Sequence, residues 1–194
     1  MKQSIINRIE QSIAVKKQIM EDNVLLNSIE KAANSITNAY RNNKKVLLCG
    51  NGGSAADAQH VAAEFSGRFY FDRPPLPAEA LHVNTSFLTA VGNDYSFDVV
   101  YSRMIEATGN EGDILIAFST SGNSVNIIKA IETAKSKGMT VIGFTGATGG
   151  KMNGICDYLL NVPSTDTPRI QESHIMMAHI ICEFVEQALF ERKG

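Results

Sequence analysis

Apolar residues recur every three to four positions through the first forty residues. Ile5, Ile9, Ile13 and Ile19/Met20 make one stripe, and Val24, Leu25, Ile29, Ala32, Ala33, Ile36 and Tyr40 make a second. That period is the signature of amphipathic helices. Two helices are therefore predicted over about residues 1–43, with Asp22-Asn23 as the break and cap between them. Apolar faces this wide must cover something. One reading lays the pair on its own domain; the sharper one packs it against copies of the same chain.

From residue 45 the pattern shifts to short apolar runs separated by turn residues. Val46-Leu47-Leu48-Cys49, Ala80-Leu81-His82-Val83, Ile114 to Phe118, Thr140 to Phe144 and Tyr158 to Val162 read as strands. Between them, helical periodicity predicts helices at about 54–65, 86–92, 97–107, 124–137 and 168–192. Apolar strands alternating with helices imply a parallel sheet covered on both faces. The fold class is α/β, a doubly wound parallel sheet with an N-terminal helical pair. A length of 194 residues fits one domain.

Composition narrows the function. Eighteen basic against twenty acidic side chains leave a net charge of −2, without the basic excess that a nucleic-acid or membrane-surface footprint needs. Three cysteines are too few for a disulfide scaffold and point to a reducing cytoplasm. Polar residues interrupt Met1 to Arg8 too often for a signal-peptide core. The richest apolar stretch, Ile175 to Val185, is short and holds His179 and Glu183, so no bilayer span is expected.

Ligands of open parallel sheets bind beyond the carboxyl ends of the strands. Two loops at such positions stand out. Ser119-Thr120-Ser121-Gly122-Asn123-Ser124 sets four hydroxyls and a glycine between the strongest strand and a helix. One hydroxyl suffices for an ordinary N-cap. Four of them, with the free amides and positive end of the helix, suit a phosphate held by neutral donors. Gly50-Asn51-Gly52-Gly53-Ser54-Ala55 formally matches a dinucleotide fingerprint. The acidic partner that fingerprint requires would be Asp72, which lies in a proline-rich loop, and no Walker lysine is present. A glycine loop that admits substrate to the backbone is the better account.

The helix after this loop holds Asp57, His60 and Glu64, the last two spaced to share a face. Its other residues are mostly small or apolar, which predicts a largely buried helix and a desolvated Glu64 suited to abstracting a proton beside a carbonyl. The last helix offers Gln171, Glu172, His174 and His179. Gln171 and His179 lie about 80° apart around the axis and about 12 Å apart along it, so they converge only on a ligand or a packed neighbour. His, Glu, Gln and His are also a possible divalent-metal set, although spacing alone does not establish it.

Several motifs in order now resemble a known family. They are Cys49 to Ser54, Glu64-x-x-Gly67-Arg68, Val91-Gly92-Asn93-Asp94, Ser119 to Ser124, Gly149-Gly150-Lys151-Met152 and Arg169-Ile170-Gln171-Glu172-x-His174. Together they are similar to the phosphoheptose isomerases of the sugar isomerase (SIS) domain family, over nearly the whole chain. The resemblance implies a flavodoxin-like three-layer sandwich and isomerisation of sedoheptulose 7-phosphate to D-glycero-D-manno-heptose 7-phosphate. That reaction is the first step toward nucleotide-activated heptose for lipopolysaccharide or capsule. It further implies a cytoplasmic homotetramer with active sites between subunits, and one zinc ion per subunit on His60, Glu64, Gln171 and His179. The implied catalytic pair is Glu64 and His179. The implied substrate contacts are Asn51, Gly52, Gly53, Glu64, Asn93, Asp94, Ser119, Thr120, Ser121, Ser124 and Gln171, with Ser54 of the glycine loop beside them. The stretch from Phe69 to Asn84 matches least well, and no role is assigned to it.

The rival reading is a non-enzymatic member of the same family that binds a phosphosugar or a protein partner. Such relatives lose the catalytic pair or carry an added DNA-binding module. Here both members of the pair are present, and the length holds no further module. Cys49, Cys156 and Cys182 read as small core residues, His82 as core or interface, and Arg68 and Arg169 as flanking the site.

Overall fold

The computed structural model describes residues 1–190. The two N-terminal helices are α1 (Lys2–Glu21) and α2 (Asn23–Arg41), and the Asp22 carboxylate between them accepts the backbone amides of Val24 and Leu25. The remaining elements run β1 (Val46–Cys49), α3 (Gly53–Ser66), β2 (Ala78–Ala80), α4 (Thr85–Asp94), α5 (Val100–Thr108), β3 (Ile114–Phe118), α6 (Val125–Ser136), β4 (Thr140–Thr145), β5 (Tyr158–Asn161) and α7 (Thr167–Leu189). All strand pairs are parallel, in the order β2-β1-β3-β4-β5. The doubly wound expectation holds.

Alternation along the strands builds two cores. Val46, Leu48, Ile114, Ile116, Phe118, Ile142 and Phe144 face α2, α3 and α7. Leu47, Cys49, Leu115, Ala117 and Val141 face the other way, toward α5 and α6. The first helices differ in how far their own domain covers them. α2 lies on the domain, burying Leu25, Ile29, Ala32, Ala33, Ile36 and Tyr40. α1 buries only Val15 and Ile19 and leaves Ile5, Ile6, Ile9 and Ile13 exposed.

Boundaries differ where local bonding overrides apolar pattern. The second strand is Ala78–Ala80, not 80–83. Pairing begins at once after the prolines, with the Val46 amide donating to the Pro77 carbonyl at 3.0 Å. It ends early because Asn84 caps α4, accepting the Phe87 amide at 3.0 Å. The segment expected at 97–107 splits into a 3-10 turn at Phe97–Val99 and then α5. The last helix ends at Leu189; the expected end at Arg192 lies outside the described residues.

Two polar groups are fully enclosed between α7 and its neighbours. Glu186 pairs with Arg73 at 2.9 Å, both side chains nearly without solvent. His174 lies 3.2 Å by Nε2 from the Thr145 carbonyl oxygen, at the end of β4. A carbonyl only accepts, so Nε2 carries the proton and Nδ1, which has no partner, is bare. Burial pushes this imidazole down to about 4, the carbonyl bond opposing. Between that value and the ordinary 6.5 the unfolded chain binds a proton that the folded chain refuses.

Stability should therefore fall as pH drops from about 6.5 toward 4, with His174 contributing up to about 1.4 kcal/mol per pH unit. His174→Gln keeps an N–H donor without a titrating group. It should flatten this acid limb in urea unfolding at fixed chain concentration, and an unchanged slope would locate the titration elsewhere.

Candidate active site

Strand order reverses between β1 and β3, the position at the carboxyl edge of the sheet where open α/β folds bind ligands. The loop after β1 is tight because it must be. A Cβ at Gly50 would stand 2.3 Å from the Ser54 carbonyl oxygen, and Gly52 has φ +56°. The Tyr101 hydroxyl donates to the Gly50 carbonyl. Asn51 and Asn126 exchange two amide hydrogen bonds of 2.9 Å, which tie this loop to the first turn of α6.

The loop after β3 is braced by its backbone, and its Ser121 hydroxyl accepts the Asn123 amide at 3.2 Å. Gly122, at φ +67°, passes so close to the Gly149 carbonyl that a Cβ would lie 2.1 Å from its oxygen. The Asn123 side chain donates to the Ser121 carbonyl at 2.9 Å and accepts the Lys151 amide at 3.1 Å. Ser124 stands at the N-cap of α6, yet its hydroxyl makes no capping bond and lies 3.1 Å from that of Ser119. Among the described residues the amides of Val125 and Asn126 have no protein acceptor. Hydroxyls beside open helix amides make this loop a candidate neutral anion cradle. Beside it lies a cleft of about 260 Å³ lined by Thr120, Ser121, Thr148, Ser164 and Thr165.

α3 and α7 pack side by side and bring the titratable groups together. His60 Nε2 lies 2.9 Å from Glu64 Oε1. The His60 and His179 rings meet edge to face with centroids 5.0 Å apart. One ligand atom from each of His60, Glu64 and His179 falls within 4.8 Å of the others. His179 Nε2 is buried without a partner. Burial, then the neighbouring His60, hold the His179 imidazole below its ordinary value against the opposing pull of Glu64, so it is neutral at pH 7. A bare, buried imidazole nitrogen facing a second imidazole and a carboxylate is a donor set that fits zinc. Gln171 is set against the start of the same helix. A Cβ at Gly53 would stand 2.6 Å from its Nε2, so a larger residue there would displace the amide.

Other expectations divide. α3 is buried on one side only, through Ser54, Ala58, Val61, Ala62 and Phe65, while Ala56, Gln59, His60 and Ala63 are exposed. The carboxyl that burial raises is that of Asp57, whose Oδ2 has no partner, whereas Glu64 is met by His60. Asn93 and Asp94 stand exposed at the end of α4, the amide of the first donating to the second at 2.9 Å. Arg68 is exposed. Arg169 turns to α1 and its own helix, donating to the Arg8 carbonyl and to Glu172 at 2.6 Å each. His82 leaves the strand for the turn after β2. Cys49 and Cys182 are core residues, as expected. Sequence reasoning missed Phe69, Arg73 and Glu186. Glu186 offered one signal, a carboxylate on the apolar stripe that Cys182 and Val185 continue.

Residues 9–146 match the SIS domain family. The chain is 57% identical to a phosphoheptose isomerase of Aneurinibacillus thermoaerophilus over 97% of this chain and 96% of that one. The chain belongs to the SIS-domain phosphoheptose isomerases. Solved phosphoheptose isomerases share the whole architecture. That of Neisseria gonorrhoeae superposes with a TM-score of 0.90 at 42% identity, covering 96% of this chain and 98% of that one. That of Francisella tularensis gives 0.91 at 39%, covering 95% and 97%. No described helix of this SIS-family chain is long and apolar enough to cross a membrane.

The brace at Gly122 yields a test. Gly122→Ala forces a side chain into the Gly149 carbonyl and shifts the hydroxyl loop, which should weaken binding of a sugar phosphate about tenfold or more. Calorimetric titration checks this, with circular dichroism to confirm the fold. Unchanged affinity would remove the loop as the anion cradle.

Proposed function

We propose that the chain is an aldose-ketose isomerase that converts sedoheptulose 7-phosphate to D-glycero-D-manno-heptose 7-phosphate through an enediol, the first step toward nucleotide-activated heptose. The observation that carries this reading is the meeting of Glu64 and His179 on packed helices, in a fold whose loop after β3 offers hydroxyls and open helix amides. The family membership supplies the substrate class.

The phosphate sits on Ser119, Thr120, Ser121, Ser124 and the first amides of α6, which sets the open-chain sugar with its far end toward α3 and α7. Asn51, Gly52, Gly53 and Ser54 admit the sugar to the backbone, and Asn93, Asp94 and Gln171 take its hydroxyls. Glu64 takes a proton from C1 and returns it to C2, while His179, neutral at pH 7, takes the O1 proton and passes it to O2; the enediol lies between these transfers, and both groups end as they began. His60, Glu64, Gln171 and His179 would hold zinc, which when bound supplies Lewis-acid stabilisation of the negative charge that develops on O1 and O2.

The assembly that fits is a homotetramer with sites between subunits. Supporting it are the exposed Ile5, Ile9 and Ile13 of α1 and the exposed alanine face of α3. Three free cysteines suit a cytoplasmic location.

Glu64→Gln should lower turnover by about 10²–10⁴-fold in a coupled ketose-to-aldose assay while sugar-phosphate binding persists. Residual activity near that of the natural chain would remove Glu64 as the base. Chelation should abolish turnover and added zinc restore it; activity indifferent to both would discard the metal.

A further inference from the structure

Glu64 and His179 stand on different helices, so their separation depends on how α3 and α7 are pinned near them. The pin is buried and ionic. Arg73 Nε donates to Glu186 Oε1 at 2.9 Å, with 2% and 1% of the two side chains exposed. The rest of the guanidinium faces backbone. Nη2 donates to the carbonyl of Glu64 itself at 2.7 Å, and Nη1 to those of Phe65, Gly67 and Pro74 at 2.8, 3.3 and 3.0 Å. The last carbonyls of a helix have no intrahelical donor, and here one arginine serves the end of α3. The Glu186 carboxylate also accepts the amides of Phe69 and Tyr70 at 3.0 and 2.8 Å. Glu186 follows His179 by seven residues, about two turns, and so lies on the same face of α7. Phe69, held by its amide, lays its ring 5.6 Å from the His179 ring.

Each member of the catalytic couple is thus one contact from this pair. Stability alone is a weak reason for a buried ion pair, because apolar replacements of similar volume are often as stable. No apolar pair can bind four carbonyls and two amides. We propose that Arg73 and Glu186 are positioning residues that set Glu64 through its own peptide and His179 through the ring of Phe69.

This rests on the isomerase reading only for its activity readout. The test uses the full chain as natural protein, Glu186→Gln and Phe69→Leu, each checked for fold by circular dichroism. Zinc affinity is measured by competition with a chromophoric chelator, and kcat and KM are measured separately. Each variant should bind zinc about tenfold or more weakly and lose at least as much kcat. KM should stay within about twofold, because the hydroxyl loop lies on other elements. A folded variant with natural zinc affinity and kcat overturns the proposal, as does a rise in KM that accounts for the whole loss. Should Glu186→Gln fail to fold, Phe69→Leu decides on the same readings. If the natural chain shows no isomerase activity, the functional reading fails and the zinc titrations alone decide the positioning.

Discussion

Removing a guanidinium and a carboxylate from water costs several kcal/mol for each ion, and a fold that does so must supply partners for every remaining donor and lone pair. At Arg73 and Glu186 those partners are almost all backbone. The constraint runs in both directions: the ions need the carbonyls and amides, and the chain from 67 to 77 has no ladder or helix of its own to satisfy them. This explains how a proline-rich connection can be ordered. Pro74, Pro75 and Pro77 bring no N–H to be satisfied, Leu76 donates to the Phe65 carbonyl at 3.0 Å, and Arg73 and Leu76 turn inward. The end of α3, the loop and the last third of α7 therefore form one bonded unit.

The proposed site has an anchoring half and a reacting half, and different physics shapes each. The proposed anchoring half is the loop after β3, whose backbone is fixed by close approach to residues 149–151. It contains no lysine or arginine and relies on oriented neutral dipoles. The proposed reacting half is made of side chains on two helices, where burial, then the neighbouring His60, lowers the His179 imidazole. The reciprocal Asn51–Asn126 bonds are the physical joint between the two halves.

Much of this was readable before any coordinates. β1, β3 and β4 follow from continuous apolar runs, because a strand covered on both faces has no polar side. The hydroxyl loop and the pairing of His60 with Glu64 follow from type and spacing. What failed depends on long-range partners. β2 was displaced because the apolar run at 81–83 carries no mark of the Asn84 cap that ends the pairing. α3 reads as buried because alanine is as apolar on an exposed face as on a covered one. Arg73, between Asp72 and Pro74, looks like a solvated loop charge. Its partner lies 113 residues away, and no local period reports that distance. The 80° offset of Gln171 from His179 was readable, but not that Gln171 would meet Gly53.

The sheet ends on one side in a strand of three residues and on the other in a strand of four, the latter backed by α2. Edges this short offer a foreign backbone few groups to pair with. Most of the exposed apolar surface is carried by helix side chains, which cannot template a ladder. Fibre growth, which needs a long open strand to copy, therefore finds little to start from.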